Sequence, residues 1–361
     1  MKKPLVSIIV PTFNRAYCLP RTLQSALDQT HKDIEVLVVD DGSSDETGEI
    51  VRRLAKVDKR VKYIVKENGG VASARNLGMQ LSQGDYIGLL DSDDLWEPWK
   101  LQLQVACMER APEIGMCWTD MQAMNEKGEI FDKRHIRTMY SSYKWFTLEQ
   151  LFSKSYPLEE IVPYLLPQLQ GDNSQKQLQF RTGDIYSQMV TGSLVHTSTA
   201  VLRRSRMAGV GGFDEKFKPT GEDFDFHLRT CKAGPVGFID IPTMTYTVGR
   251  PDQLTRASSH LAIAQWFLYV VERELAENRV NIHLPQKLIN EVLAEAHEWI
   301  GYRHLLLYQT KEARQHLMLS LKLKPLQPRT IQLLASAMLP QSAFKTLHQS
   351  YHARQQHATD H

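Results

Sequence analysis

The sequence predicts an α/β protein with a mostly parallel central sheet flanked by helices, followed by an α-helical C-terminal region. Three observations predict it. Val- and Ile-rich runs alternate with helix-like segments through the first 120 residues. Those runs are nearly continuously apolar, as strands covered on both faces are. From about residue 258, Ala, Leu and aromatic residues recur at helical spacing.

The expected strands are "LVSIIVP" (5–11), "IEVLVVDD" (34–41), "VKYIV" (61–65), "DYIGLLD" (85–91) and "IGMCWTD" (114–120). Helices are expected between them near 19–30, 45–56, 71–83 and 98–110. Ser44 or Asp45 can cap the helix that follows "GSSDE". The pattern loosens between about 138 and 190, a stretch rich in Tyr, Gln, Leu and Pro, and resumes at "TSTAVLRR" (197–204). The helical remainder has the cadence of one tetratricopeptide-like unit. A single unit cannot form a repeat array, so a helical appendage is expected.

Composition narrows the function classes. The 361 residues are 42% hydrophobic and 23% charged, with a formal net charge of +2. That balance, without interleaved basic and aromatic residues, gives no reason to expect nucleic acid as a partner. Cys18, Cys107, Cys117 and Cys231 have no metal-like spacing, which suits a reducing, cytoplasmic setting. The apolar run in "MKKPLVSIIVPTFNR" is too short for a signal sequence and reads as a first strand. No apolar run reaches the length of a membrane span; "LAIAQWFLYVV" (261–271) ends in Glu272, Arg273 and Glu274.

Ligands of parallel sheets bind beyond the carboxyl ends of the strands. "VPTFNR", "VVDDGSSDE" and "LLDSDD" all fall there, so three polar clusters meet at one edge. In "DSDD", Asp91, Asp93 and Asp94 follow an apolar strand, where like charges repel and lose hydration. A turn capping the helix near 98 is the plainer account, with Asp94 as the cap. A divalent cation, Mg²⁺ or Mn²⁺, would relieve the repulsion, half-coordinated by protein and half by a diphosphate. Asp40 and Asp41 are free to read a base or ribose if Ser44 and Asp45 suffice as caps. The absence of GxGxxG argues against a dinucleotide site. "NGGVASARNLG" places Arg75 one turn into a helix, within reach of a phosphate or base, or simply on the surface. "GEDFDFHLR" carries Glu222, Asp223 and Asp225 at a helix start, where the dipole alone favours acids. One of them can serve as a general base. His196 is a weaker candidate, as an acceptor contact or a core histidine.

"VSIIVPTFNR", "VLVVDDGSSDET", "NGGVASARNLG", "YIGLLDSDDLW" and "GGFDEKFKPTGEDFDFHLR" occur in the order seen in family-two glycosyltransferases of the GT-A fold. The chain resembles that family over roughly residues 4–250. The resemblance implies a nucleotide-sugar donor, taken as a UDP-sugar, a divalent metal ion and inverting transfer to a hydroxyl. By match of motifs, it implies that Pro11, Thr12, Phe13 and Asn14 form the first nucleotide-binding loop. Asp41, with Asp40, would read the base, and Asn68 and Arg75 would complete the nucleotide pocket. Asp91, Ser92 and Asp93 match the DxD motif, with Asp93 as metal ligand and Asp91 toward ribose or metal. Asp223 matches the catalytic base, with Glu222 as its neighbour. Many relatives carry a His after the last core strand. Here the loop reads "YTVGRPDQLTRAS", which leaves Arg250 or Arg256 to close over the diphosphate.

The domains expected are a glycosyltransferase domain over 1–250 and a helical region over 258–361. The first divides into a nucleotide-binding half (1–120) and an acceptor and catalytic half (121–250) with a variable insert at about 138–190. Tyr140, Tyr143, Trp145, Phe146 and Tyr164 are the insert's candidates for an acceptor pocket, and equally ordinary core residues. Residues 301–361 hold eight Lys/Arg against two Asp/Glu. Basic helices of this kind suit peripheral contact with the inner membrane face and a saccharide or lipid-linked acceptor. A nucleotidyltransferase would want a Gly/Lys-rich first loop, unlike "PTFNRAYCLP". A non-catalytic nucleotide-sugar-binding module would not need the DxD and Glu-Asp pairs.

Overall fold

The computed structural model describes residues 4–170, 177–250, 252–342 and 344–346. The chain forms two compact units, Met1–Gln253 and Leu254–His361.

The first unit is built on one sheet. Its strands are β1 (Val6–Thr12), β2 (Ile34–Asp40), β3 (Val61–Val65), β4 (Tyr86–Leu89), β5 (Leu95–Trp96), β6 (Met116–Met124), β7 (Ile130–Asp132), β8 (Lys154–Pro157), β9 (Gln179–Gly183), β10 (Val201–Arg203) and β11 (Val236–Thr247). The order is β3-β2-β1-β4-β10-β6-β11-β9-β8, with β5 on β11 and β7 on β6. Helices α1 (Leu19–Leu27), α2 (Thr47–Val57), α3 (Val71–Leu81) and α4 (Lys100–Arg110) connect the early strands, and α5 (Glu222–Lys232) precedes β11.

The expected parallel arrangement holds from β3 through β4 and again between β6 and β11. Elsewhere it does not. β10 runs antiparallel to both β4 and β6, and β9 runs antiparallel to β11 and β8. The reversal has a positional consequence. The start of β10, not its end, lies at the edge where β1, β2 and β4 finish. The expectation of burial on both faces also fails for β3, an edge strand with partly exposed residues. β1 and β2 are buried throughout.

Local chemistry explains the helix placements. The N-cap position of α2 is Glu46, without a side-chain cap, rather than Ser44 or Asp45; the Asp45 carboxylate instead accepts from the backbone N–H of Thr47 and of Ala16 and so ties the start of α2 to the loop after β1. α3 lies flush on the sheet because Gly78 has no side chain. A Cβ there would lie 2.5 Å from Ile9 Cγ2 and 3.2 Å from Val39 Cγ2. At the start of α4, Lys100 is wholly buried, and its ammonium donates to Gln104 Oε1 and to the Thr199 carbonyl. Burial pulls its pKa down to about 7. This contact holds the Thr197–Thr199 turn against the sheet. The region 138–190 contains short helices and β8 and β9; residues 171–176 lie outside the described residues.

The second unit is helical: α6 (His260–Asn278), α7 (Gln286–Leu306), α8 (Thr310–Leu323) and α9 (Pro328–Ala337). Ala264, Leu268, Ala296 and Ile300 form one core, and Leu305, Ala313, Leu317 and Ala337 another. The part of the basic C-terminal stretch at 347–361 lies outside the described residues. Among the described residues no helix is long and apolar enough to cross a membrane.

Gly78→Val forces α3 off β1 and β2, and overpacking of this kind costs about 1–3 kcal/mol. Urea denaturation should show that loss, and a midpoint equal to the parent's would contradict the close packing.

Candidate functional site

The carboxyl ends of β1, β2 and β4, together with the start of β10, gather the sequence-predicted clusters on one sheet edge. In the loop after β1, Asn14 takes a left-handed backbone (φ 53°), which Asn tolerates better than most residues. Its side-chain oxygen accepts from the N–H groups of Ser44 and Asp45, and its own N–H donates to Ser43 Oγ. Pro11 and Thr12 are buried at the end of β1, while Phe13 is exposed.

Both acids after β2 are engaged within the protein. Asp40 accepts from Ser43 N–H and the Tyr63 hydroxyl. Asp41 accepts from the N–H groups of Gly69 and Gly70 and from Lys66 Nζ, at 2.8–2.9 Å. Asn68 donates to the Asp41 carbonyl at 2.9 Å. Asp41 thus organises the "KENGG" loop and, through it, the start of α3.

Arg75, one turn into α3, points inward. It donates to Asp91 Oδ1 and Glu222 Oε1, each at 2.6 Å, and its side chain is 5% exposed. The guanidinium lies over the Phe213 ring at 5.2 Å. Burial alone would lower its pKa, but Asp91 and Glu222 raise it above its ordinary value, so it stays charged. Expected at a phosphate or base, Arg75 in this structure binds two protein carboxylates 131 residues apart in sequence.

The acids of "DSDD" occupy unlike environments. Asp91 is pushed up by burial, yet the adjacent Arg75 guanidinium brings it below the usual carboxylate range. Its backbone N–H donates to Ser198 Oγ at 3.0 Å, a contact made by the reversed entry into β10. Ser92 is buried, and its carbonyl accepts from Thr22 Oγ1. Asp93 is raised by burial and by Asp91, against Arg15 and Arg250. Arg250 Nη1 lies 3.7 Å from its carboxylate. Asp94 does not cap α4, whose N-cap position is Trp99. It is buried, both its oxygens lack a hydrogen-bond partner, and burial and its two acidic neighbours raise its pKa well above the ordinary value.

At the start of α5, burial pushes Glu222 up to about 7 despite Arg75, and its second oxygen has no partner. Asp223 is raised by burial and, less, by Asp91. Asp225 instead pairs with Arg229 one turn along. His196, at the entry to β10, and His227 are buried; burial takes them to about 4 and 3, so both rings are neutral. Of the aromatic candidates in the insert, the Tyr143 hydroxyl is used in the core, donating to the Leu194 carbonyl. Tyr164 is exposed. Tyr140 is raised well above its ordinary value by burial and then by Asp223.

The donor set suits a hard divalent cation, since Asp91 and Asp93 offer carboxylate oxygens and Asp93 has only a long ion contact. Among the described residues no group of three or more His, Cys, Asp or Glu could hold an ion alone.

Residues not singled out from sequence also build this edge. Arg15 donates to the Asp252 carboxylate and carbonyl, and the Tyr17 hydroxyl donates to Asp252 at 2.8 Å. Arg15 directly follows the first loop, so its position was a usable signal; Ser198, Phe213 and Asp252 carried none. Arg256 falls in the second unit.

Arg75→Gln leaves the buried Glu222 and the partly exposed Asp91 without their cation. Losses on breaking such a pair are about 3–5 kcal/mol. Denaturant midpoints should show this, and Arg75→Lys should restore only part because one ammonium cannot span both acids with a planar fork.

A family model described as "Glycosyl transferase family 2" matches residues 7–162. The putative teichuronic acid biosynthesis glycosyltransferase TuaG of Bacillus subtilis is 39% identical over 133 residues, 36% of this chain and 52% of that one. An uncharacterized glycosyltransferase of Rickettsia felis is 42% identical over 130 residues, 36% of this chain and 21% of that one. Chondroitin synthase of Pasteurella multocida is 36% identical over 150 residues, 41% of this chain and 15% of that one. In each case the match spans about half the relative's length or less. Among solved structures, the mannosyltransferase PcManGT of Pyrobaculum calidifontis, in complex with GDP-Man and Mn²⁺, superposes with a TM-score of 0.52. It is 18% identical and covers 97% of this chain and 81% of that one. S. aureus TarS 1–349 in complex with UDP-GlcNAc gives a TM-score of 0.50 at 17% identity, over 86% of this chain and 89% of that one. These likenesses establish the fold as GT-A type, and residues 7–162, which hold the strands and loops from β1 through β7, match glycosyl transferase family 2.

Proposed function

We propose that this chain is an inverting, metal-dependent glycosyltransferase. It moves a sugar from a nucleotide-sugar donor, a UDP-sugar, to a hydroxyl of a saccharide or lipid-linked saccharide in cell-surface polysaccharide or glycolipid assembly. The observation that carries the reading is the buried Asp91–Arg75–Glu222 bridge. It joins the DxD edge to the Glu-Asp pair, which supports Asp223 as a base acting on a donor held at that edge. Relatives named for teichuronic acid and chondroitin synthesis support the substrate class.

In this reading the loops after β1 and β2 receive the nucleoside, and Asp91 and Asp93 would hold the divalent cation. When bound, that cation neutralises charge on the departing diphosphate. Asp223 takes the proton from the acceptor hydroxyl, which attacks the anomeric carbon opposite the leaving group in one displacement. Tyr140, whose hydroxyl feels the Asp223 charge, is the insert's candidate for the acceptor side.

A peripheral membrane role is supported by a separate feature. In the second unit, Met318, Leu319, Leu326 and Ile331 are exposed alongside exposed Lys311 and Lys322. Exposed apolar and basic groups along one stretch of chain support contact with an anionic lipid interface.

Asp223→Asn should lower the transfer rate by at least ~100-fold, the scale of general-base catalysis, while calorimetry shows donor binding retained. Near-normal turnover would remove Asp223 from the role. Because the base must be ionised and its pKa is raised, kcat/KM should fall on the acid side at a pH above the ordinary carboxylate range. An acid limb at the ordinary Asp value would contradict the raised pKa. Co-sedimentation with phosphatidylglycerol vesicles should occur at low salt and be lost at high salt; absence of binding at low salt ends the membrane reading.

A further inference from the structure

Between β11 and the end of the first unit, the loop carrying Arg250 meets the "DSDD" edge. Gly249 has a left-handed backbone (φ +100°), which turns the chain so that Arg250 meets the DxD edge. Its Nη1 lies 3.4 Å from the Asp93 carbonyl and 3.7 Å from the Asp93 carboxylate. Its Nη2 lies 3.4 Å from Thr247 Oγ1, and the guanidinium sits over the Tyr17 ring at 5.7 Å. Each of these contacts is long. The Arg75–Asp91 bond, at 2.6 Å, shows what a locked pair on the same edge looks like. Arg250 is nonetheless only 14% exposed, so it is held in place without being tightly bonded there.

What holds it is the neighbouring residue pair. Tyr17, beneath Arg250, donates to Asp252, and Arg15 donates to the same carboxylate. The second oxygen of Asp252 is buried without a partner. The loop is thereby fastened to the segment after β1 at Asp252, while its guanidinium rests loosely on Asp93.

Resting on the glycosyltransferase reading, we propose that Arg250 is a resident counter-ion of Asp93 that passes to the donor's diphosphate and so couples nucleotide binding to cation binding. A guanidinium and a divalent cation on one carboxylate repel each other. The nucleotide-free protein therefore disfavours the cation. A diphosphate, which a planar guanidinium grips better than a distant carboxylate, draws Arg250 away and leaves Asp93 to the metal. By linkage, each ligand then raises the other's affinity by the same factor.

The test is Mn²⁺ binding by the full chain, read from the electron paramagnetic resonance of free Mn²⁺, with and without UDP or GDP. The unaltered protein should bind Mn²⁺ weakly alone and about tenfold more tightly with nucleotide, within the usual range of coupling. Arg250→Gln should bind Mn²⁺ about tenfold more tightly without nucleotide, and the coupling should largely vanish. Arg250→Lys, which keeps the charge, should keep the weak nucleotide-free affinity. Nucleotide binding with Mn²⁺ affinities indifferent to residue 250 overturns the counter-ion role and leaves the glycosyltransferase reading standing. An unaltered protein that binds no nucleotide, with or without Mn²⁺, overturns both.

Discussion

One buried arginine joins the two halves of the candidate site. Arg75 reaches Asp91 on the donor edge and Glu222 at the start of α5 with equal 2.6 Å bonds. A guanidinium taken out of water needs both charges to stay where it is. The rest of the edge follows from that demand. α3 lies close on β1 and β2 because Gly78 permits it. The start of α3 is drawn in by Asp41, which gathers the N–H groups of Gly69 and Gly70. Phe213 then closes the open face of the guanidinium.

The bridge also divides the acids by charge. Asp91 stays ionised because Arg75 is its neighbour, whereas Glu222 shares the same arginine but is pushed up to about 7 by burial. Asp94, buried beside two other acids, is raised well above its ordinary value. The three carboxylates of "DSDD" still repel one another, and that repulsion helps to raise Asp93 and Asp94 while Arg75 holds Asp91 down. Each sits in a different balance of burial and counter-charge.

Much of the first half was legible in the sequence because its signals are local. The strand runs at 34–41 and 61–65 fall within a residue of β2 and β3. The rule that ligands meet the carboxyl ends of parallel strands placed "DSDD" on the correct edge. The unreadable parts depend on pairings between distant residues. Arg75 and Glu222 are 147 positions apart, and Ser198 meets Asp91 across 107. The antiparallel course of β10 left no trace in its own three residues, since strand direction is set by what the chain does before it arrives. Asp94 misled for a similar reason: a carboxylate ahead of a helix reads as a cap, but β5 intervenes and carries it inward.

The reversed β10 has a wider meaning. The long segment after β7 supplies β8 and β9 to the sheet and returns through residues 196–199, which Lys100 and Trp96 fasten by bonds to the Thr199 and Ser198 carbonyls. Its β8 and β9 are held by strand pairing and its return by these two bonds, so the connection between β8 and β9 has fixed ends. Lengthening a loop with fixed ends costs only about 0.6 kcal/mol per doubling. Insertions in that connection would therefore leave the edge where β1, β2 and β4 finish unaltered.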